Sequence, residues 1–277
     1  MHAARHFGRP PGQPRGRAGR RVPAGLVALA AVLAVTVAPV AGAPDRAAPS
    51  SPSTAAGPTR ARPLVVLDPG HGGSNSGALG VGLIEKELTM TLARAVRAEL
   101  EAHGVEVALT RERDVTLTLR QRVAAANQRR AALFVSIHGN ASPGRIQRGF
   151  ETFVLTAGGV DVDGRALRSE SGAARPELDP ATALVLDDVE RGACQWESAE
   201  LAAAVQRELR AVRGDAGDRG VRQDAHHVLL GATMPAVLVE VGFIDHPIEG
   251  RELARPEVQA AIAGALARAI VAQLPPP

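Results

Sequence analysis

The 277-residue chain contains few aromatic residues, one cysteine and one lysine, and the first two shortages each exclude a structural or functional feature. It contains no tyrosine and only 2% aromatic residues, so it lacks the stacking platforms with which proteins hold single-stranded nucleic acids, and its core must be aliphatic. Its single cysteine, Cys194, excludes an internal disulfide. Lys86 is its only lysine. Nucleic acid is therefore not an expected partner.

The basic character of the chain comes from its N-terminal segment. Residues 1–43 hold six arginines and no acidic residue. Removing those six from the 32 basic residues leaves 26 against 29 acidic ones, a net charge of −3 for the remainder. The rest of the protein is therefore slightly acidic, which also speaks against nucleic-acid binding.

Residues 1–43 have the pattern of an export signal. An arginine-rich stretch precedes the apolar run Leu26–Val37, and Ala41–Ala43 supplies small residues for cleavage. Because the run is shorter than the roughly 20 residues of a spanning helix, we expect removal and no stable membrane span afterwards, with an uncleaved anchor as the alternative. The pair Arg20-Arg21 leaves twin-arginine export open. The expected location is therefore periplasmic or extracellular.

After a Pro-, Ser- and Ala-rich linker at 44–62, residues 63–277 alternate between apolar runs and helical periodicity. This alternation predicts one α/β domain with a largely parallel central sheet and a site at the strand ends. The predicted strands are Leu64–Leu67, Val105–Leu109, Leu133–Ile137, Phe150–Leu155, His227–Leu230 and Ala236–Val241. The predicted helices are Leu88–Leu100, Leu119–Ala132, Leu201–Val212 and Val258–Leu274.

Residues 156–197 interrupt this alternation. They are rich in Gly, Asp and Pro and long for a connection inside a compact domain, although Ala181–Val189 could form a short helix. The segment is either a tolerated surface insertion or a lid or regulatory element.

Two predicted strands end in a histidine followed by glycine. Leu64–Leu67 leads into a loop containing His71, and Leu133–Ile137 leads directly into His138. Each histidine alone could be a hydrogen-bonded turn residue. Since the pattern is repeated, the two imidazoles could instead share a cation at neighbouring strand ends.

Two glutamates are candidates to complete such a site. Glu85 begins the helix after the first histidine loop and would be a third ligand, since catalytic zinc usually takes three from the protein; the helix dipole alone could also explain a Glu there. Glu240 interrupts the apolar run Ala236–Ile244, where an unpaired charge is costly. We interpret Glu240 as functional.

Together these segments resemble the N-acetylmuramoyl-L-alanine amidases, zinc-dependent cell-wall hydrolases. The resemblance implies that His71, Glu85 and His138 are zinc ligands and that Glu240 is the catalytic carboxylate. It also implies a three-layer αβα sandwich around a mixed sheet, and cleavage of the bond between N-acetylmuramic acid and L-alanine in peptidoglycan, for cell-wall remodelling or daughter-cell separation. The strings that carry it, in family order, are DPGHGG (68–73), LIEKEL (83–88), LTRERD (109–114), LRQRVAAAN (119–127), FVSIHGNA (134–141), GFETFVL (149–155) and MPAVLVEVGFI (234–244).

The chain departs from its relatives at several positions outside the implied ligands. Gly139 stands where relatives often have Ala, Ala132 where an Asp is common, and Asp245-His246 where Ser-Asn is usual. His226 and His227 could be a second metal contact, although packed or solvent-facing histidines are the simpler reading. Some relatives carry an occluding helix in the region equivalent to 156–197. The resemblance therefore suggests autoinhibition through Asp179–Gly192, with Glu190 reaching the metal until an activating partner displaces it.

Two other functions remain open on the sequence. One is a wall-peptide carboxypeptidase on a related fold, and the other is a non-catalytic peptidoglycan-binding protein. The intact set of His71, Glu85, His138 and Glu240 argues against the second.

Overall fold

The computed structural model describes residues 62–155, 179–224 and 228–275, with mainly the helical backbone described between 180 and 193. These residues belong to one compact unit, Ala56–Pro277. The predicted export signal and linker lie outside the described residues and remain predictions. Among the described helices, none is both long enough and apolar enough to cross a bilayer.

The described residues form eight strands and five α-helices. The strands are β1 Leu64–Pro69, β2 Leu79–Gly80, β3 Leu83–Ile84, β4 Glu106–Leu109, β5 Leu133–Asn140, β6 Phe150–Leu155, β7 Asp218–Asp224 and β8 Ala236–Phe243. The helices are α1 Glu85–Ala102, α2 Leu119–Gln128, α3 Pro180–Arg213, α4 Glu249–Leu253 and α5 Pro256–Val271.

Six strands form one mixed sheet in the order β4-β1-β5-β8-β6-β7. Neighbouring strands are parallel except β6 and β8, which are antiparallel. The predicted largely parallel sheet is thereby confirmed. The carboxyl ends of β1, β5 and β8 meet at one edge, where ligand sites of such sheets are found.

Alternating side chains of the sheet pack into two hydrophobic layers. Val65, Val135 and Val237 face a core formed with α1, α3 and α5. Val66 and Phe134 face the opposite layer, which contains α2 and the turn segment 228–234. The three-layer αβα architecture is confirmed, because helices cover both faces of the sheet.

The helices around the site begin and pack as their sequences predict. On α1 the apolar positions from Leu88 to Leu100, four residues apart, are all buried. Helix α2 begins with a capping box, in which the Gln121 backbone N–H donates to Thr118 Oγ1 (3.2 Å) and the Thr118 N–H donates to Gln121 Oε1 (2.9 Å). Capping of this kind satisfies N–H groups that a helix start leaves without partners.

One strand prediction is wrong. His227 lies outside the described residues, and Val228–Leu230 form a turn whose first two side chains are buried. The strand beside β6 is instead β7, Asp218–Asp224. The sequence did not predict β7 because the strand is polar, and an edge strand with exposed side chains needs no alternation of apolar residues.

The predicted helices Ala181–Val189 and Leu201–Val212 form a single helix, α3, of 34 residues. At the start of β8 the Ala236 backbone N–H donates to Ser198 Oγ of α3 (2.9 Å). Ser198 therefore lies at the edge of the sheet opposite the strand ends that carry the candidate site. Residues 180–197 of α3 therefore extend roughly 27 Å past that opposite edge, at 1.5 Å per residue. The autoinhibitory cover by Asp179–Gly192 is not the arrangement found, and the Glu190 side chain and residues 156–178 lie outside the described residues.

A buried carboxylate joins the ends of three elements near the site. Glu249 is 2% exposed; its Oε2 accepts hydrogen bonds from the Phe243 and Gly149 backbone N–H groups, both at 2.9 Å. Its Oε1 pairs with Arg213 Nη2 at 2.6 Å. Glu249 thus holds the end of β8, the start of β6 and the end of α3 together.

Replacing Glu249 with alanine should lower the free energy of unfolding by about 3–5 kcal/mol, because Arg213, whose side chain is only 9% exposed, would lose the carboxylate that pairs with it. Urea denaturation measures the loss. Glu208→Ala is the control, since Glu208 pairs with the half-exposed Arg268 and its loss should cost less than about 1 kcal/mol. Equal effects of the two substitutions on the free energy of unfolding would contradict the role of Glu249 in joining β6, β8 and α3.

Candidate metal centre

His71, Glu85 and His138 converge at the carboxyl edge of the sheet. Glu85 Oε1 lies 2.9 Å from His71 Nε2 and 2.9 Å from His138 Nδ1. The potential ligand atoms of the three residues all lie within 4.8 Å of one another. Three residues that are 14 and 53 positions apart along the chain are thus brought to one point by β1, α1 and β5.

The loop after β1 holds His71 in the left-handed backbone region, with φ 59°, a conformation that is uncommon for a residue other than glycine. Two buried arginines stabilise this loop. Arg122 Nη1 pairs with Asp68 Oδ1 (2.8 Å) and donates to the Pro69 carbonyl (2.9 Å), while Nη2 donates to the His71 carbonyl (2.6 Å). The other oxygen of Asp68 accepts from Ser136 Oγ (2.7 Å).

The second arginine connects the loop to the start of α1. Arg111 Nε donates to the Pro69 carbonyl (3.0 Å), and Nη2 donates to the carbonyls of Gly70 (2.9 Å) and Lys86 (2.8 Å). Since Gly70 and Lys86 are each adjacent in the chain to a site residue, one guanidinium holds the backbone beside both His71 and Glu85.

The only lysine closes the far end of the loop. Lys86 Nζ donates to the Gly73 carbonyl (2.9 Å) and pairs with Asp114 Oδ2 (2.6 Å). The Gly73 backbone N–H donates to the other oxygen of Asp114 (2.6 Å). Lys86, Asp114, Arg111 and Arg122 lie in motifs of the sequence, but no chemical feature of those motifs indicated that they position the loop.

Asn75 orients the His71 imidazole. Its Oδ1 accepts a hydrogen bond from the Gly77 backbone N–H (3.1 Å) and lies 3.0 Å from His71 Nδ1. Because an amide oxygen can only accept, we assign the Nδ1 proton to this hydrogen bond, which leaves Nε2 to face Glu85 and a cation. Sequence reasoning missed this contact, since Asn75 looks like any loop asparagine.

Two glycines make room for the site. A Cβ on Gly70 would lie 2.5 Å from His138 Cε1, and one on Gly77 would lie 2.4 Å from Glu85 Oε2. Gly77 also has a φ of 68°. Both positions bring the backbone closer to the site residues than any side chain permits.

The electrostatics of the cluster suit a cation. Burial by itself would raise the pKa of Glu85, but hydrogen bonds with His138 and His71 outweigh it and lower the pKa to about 2. Glu85 is therefore ionised at neutral pH. For His71, burial would lower the pKa, and the hydrogen bond with Glu85 raises it overall. A buried carboxylate facing two imidazoles matches the ligand types of sites that hold a cation through three protein residues.

Glu240 lies beside this cluster on β8, with its Cα paired in register with His138. Its Oε2 is enclosed and has no hydrogen-bond partner among the described residues. Burial, followed by the charges of Glu85 and Glu151, raises the pKa of Glu240 well above its usual value. Among the described residues, the carboxyl that interrupts the apolar run therefore has no basic partner and caps no helix.

Two of the departures noted in the sequence, Gly139 and Asp245-His246, lie near the strand ends beside the centre, whereas Ala132 precedes β5 at the opposite edge of the sheet. A Cβ on Gly139 would be 2.7 Å from Ile244 Cγ2, so the Ile244 side chain occupies the space that an alanine at this position would need. Asp245 Oδ2 accepts from the Ser142 backbone N–H (3.0 Å), and His246 Nδ1 accepts from the Glu249 N–H (3.2 Å). Both replacements hold local backbone. His226 and His227 lie outside the described residues.

The fold and the cluster define an α/β domain with a candidate metal centre at the carboxyl edge of its sheet, and comparison with known proteins places it in a family. The profile of the N-acetylmuramoyl-L-alanine amidases matches residues 65–272, and the chain belongs to that family. It is 32% identical over 217 residues to N-acetylmuramoyl-L-alanine amidase AmiA of Escherichia coli (strain K12), covering 75% of each protein.

Two further proteins show how far the similarity extends. The amidase AmiC of Neisseria meningitidis serogroup B is 32% identical over 239 residues, which cover 82% of this chain but 57% of that protein. Among solved structures, amidase AmiC2 of Nostoc punctiforme is 31% identical with a TM-score of 0.58, covering 76% of this chain and 96% of that one.

Gly70→Ala should weaken metal binding by at least about 10-fold, because the new methyl group displaces the His138 ring from its position beside Glu85. Competition with a chromogenic chelator measures the affinity. The control is Gly264→Ala, where the added Cβ would approach only the flexible end of Arg268, at 3.3 Å. Unchanged affinity in Gly70→Ala would exclude His138 as a ligand in the geometry described.

Asn75→Ala should reduce metal affinity by about 10–100-fold, the usual cost of removing a residue that orients a ligating histidine. Ser74→Ala is the neighbouring control, because Ser74 Oγ contacts Thr116 and not the histidines. Isothermal titration of the metal-free protein separates the two variants, and similar affinities would remove Asn75 from its orienting role.

Proposed function

We propose that the protein is a zinc-dependent hydrolase that cleaves the amide between N-acetylmuramic acid and L-alanine in peptidoglycan. The observation that carries the proposal is the convergence of His71, Glu85 and His138 beside Glu240, whose buried Oε2 has no hydrogen-bond partner among the described residues, in a domain of the N-acetylmuramoyl-L-alanine amidase family. Two imidazoles and one carboxylate form a ligand set of catalytic zinc, which keeps a fourth position open for water or substrate.

His71, Glu85 and His138 would hold the ion, and the buried arginines would keep the two backbone segments that carry His71 and Glu85 in place. Zinc bound there supplies Lewis-acid polarisation of the scissile carbonyl and lowers the pKa of water to about 7. The remaining chemistry falls to Glu240. Its Oε2 would accept the proton of the attacking water and deliver it to the departing nitrogen of L-alanine.

The burial of Glu240, and the lack of a hydrogen-bond partner for its Oε2 among the described residues, suit it both to accept and to donate a proton. A carboxylate in water binds protons weakly at neutral pH, whereas burial and the nearby Glu85 and Glu151 raise the pKa of Glu240. Glu240 therefore takes up the proton of the water more readily, and its protonated form is populated enough to donate to the departing amine. The same residue would therefore act as base in the attack and as acid in the expulsion of the amine.

The predicted export signal at 1–43 and the predicted linker at 44–62 support action outside the cytoplasm, in the periplasm or at the cell wall. An activating partner that acts on 156–197 also remains a proposal. Because the N-terminal half of α3 extends from the sheet edge opposite the candidate site, such a partner would meet it at a distance from the metal ligands.

Glu240→Gln should reduce the turnover of purified peptidoglycan by about 10²–10⁴-fold while the metal remains bound, because glutamine keeps the shape but carries no transferable proton. Metal content and rate are measured on the same preparation. Glu106→Gln, on the exposed start of β4, is the matched control. Loss of the metal from Glu240→Gln would show that Glu240 is a metal ligand and would contradict its assignment as the proton carrier.

Mass analysis of the released peptides separates the rival functions. The amidase reaction yields intact stem peptides that begin at L-alanine, and their release stops on chelation and returns with zinc. A carboxypeptidase would release single amino acids from the other end of the stem. Saturable binding of peptidoglycan without any release would point to a binding protein.

A further inference from the structure

Beside Glu240 the sheet carries a charged cluster that includes two arginines with no role in the proposed reaction. Glu151 on β6 is the register partner of Glu240 across the antiparallel β6–β8 pair. It is buried, and its Oε1 accepts from Asn140 Nδ2 (2.9 Å). Its Oε2 faces Arg219 Nε at 3.1 Å and Arg222 Nε at 3.4 Å, both from β7. One carboxylate therefore faces two guanidinium groups, an excess of one positive charge.

The two arginines differ in what their outer nitrogens do. Arg219 donates through Nη2 to Gln147 Oε1 (3.1 Å) and lies over the Phe243 ring, 5.0 Å from its centroid. Arg222 is held through Nε alone, its side chain is 49% exposed, and its terminal nitrogens have no partner among the described residues. Arg222 thus presents an anchored, open fork of donors.

Such a fork fits a carboxylate, with which guanidinium forms two parallel hydrogen bonds. We propose that Arg222, supported by Glu151 and Arg219, binds a carboxylate of the stem peptide beyond L-alanine and so selects acidic stems. The inference rests on the proposed function, because it uses Glu240 as the marker of the scissile bond.

Distance supports this pairing. Strand β7 lies two strand spacings from β8, about 10 Å, with β6 between them. An extended peptide advances about 3.3–3.6 Å per residue, so a side group two or three residues from the scissile bond reaches β7. The glycan offers no carboxylate once the lactyl group is in its amide bond, which leaves the peptide as the anionic part of the substrate.

The test uses the zinc-loaded full chain and two muramoyl peptides. They differ only in whether the residue after L-alanine carries a free carboxylate or its carboxamide. The wild-type protein should cleave the carboxylate form with a kcat/KM about 10-fold higher, mainly through KM, as expected for one charge-assisted contact at a half-exposed site. Arg222→Gln should abolish the preference by lowering kcat/KM for the carboxylate form to that for the amide form.

Two variants serve as controls. Arg222→Lys keeps the charge but not the fork, and should retain part of the preference. Arg207→Gln removes an exposed arginine on α3 and should change nothing. Equilibrium binding of the released peptide, with and without its carboxylate, provides a readout that needs no turnover.

The inference is overturned if the wild-type protein shows no preference for the carboxylate form. It is also overturned if Arg222→Gln retains that preference. Equal loss of cleavage of both substrates in Arg222→Gln also overturns it, since Arg222 would then only support the fold. If the wild-type protein cleaves neither substrate, the proposed function fails, and the binding measurement alone decides whether Arg222 recognises the carboxylate.

Discussion

The buried ion pair between Asp68 and Arg122 is the constraint on which the candidate site depends. Removing two charges from water is costly, and the cost is offset only when their remaining hydrogen-bonding groups also find partners. Here Asp68 also accepts from Ser136, and Arg122 also donates to the carbonyls of Pro69 and His71. The pair is therefore fully partnered only when the loop after β1 adopts the conformation that presents His71.

The loop and helix α1 then act as one positioning unit. Arg111 bonds the loop and the first turn of α1 through carbonyl groups, and Lys86 with Asp114 closes the loop beyond it. The carbonyl groups around His71, whose backbone has a left-handed conformation, thus accept hydrogen bonds from side chains outside the loop. The strain is offset by contacts outside the site, as is usual where backbone geometry serves function.

The sheet contributes a second, electrostatic arrangement. Glu85, Glu151 and Glu240 lie around the same edge, yet each has a different environment. Glu85 faces two imidazoles, Glu151 faces two guanidinium groups, and Glu240 has an oxygen with neither. Three chemically identical side chains thus lie in three electrostatic environments, which lower the pKa of Glu85 and raise the pKa of Glu240.

The sequence by itself determined the α/β class, most strands and helices, and the chemical types at His71, Glu85, His138 and Glu240, because burial periodicity and histidines after strands are local patterns. It failed at β7, whose exposed edge needs no apolar pattern. Only the tertiary structure decided which residues hold the site, since buried hydrogen bonds join positions such as Asp68 and Arg122 that lie far apart in the chain, and no local pattern records which distant donor meets which acceptor.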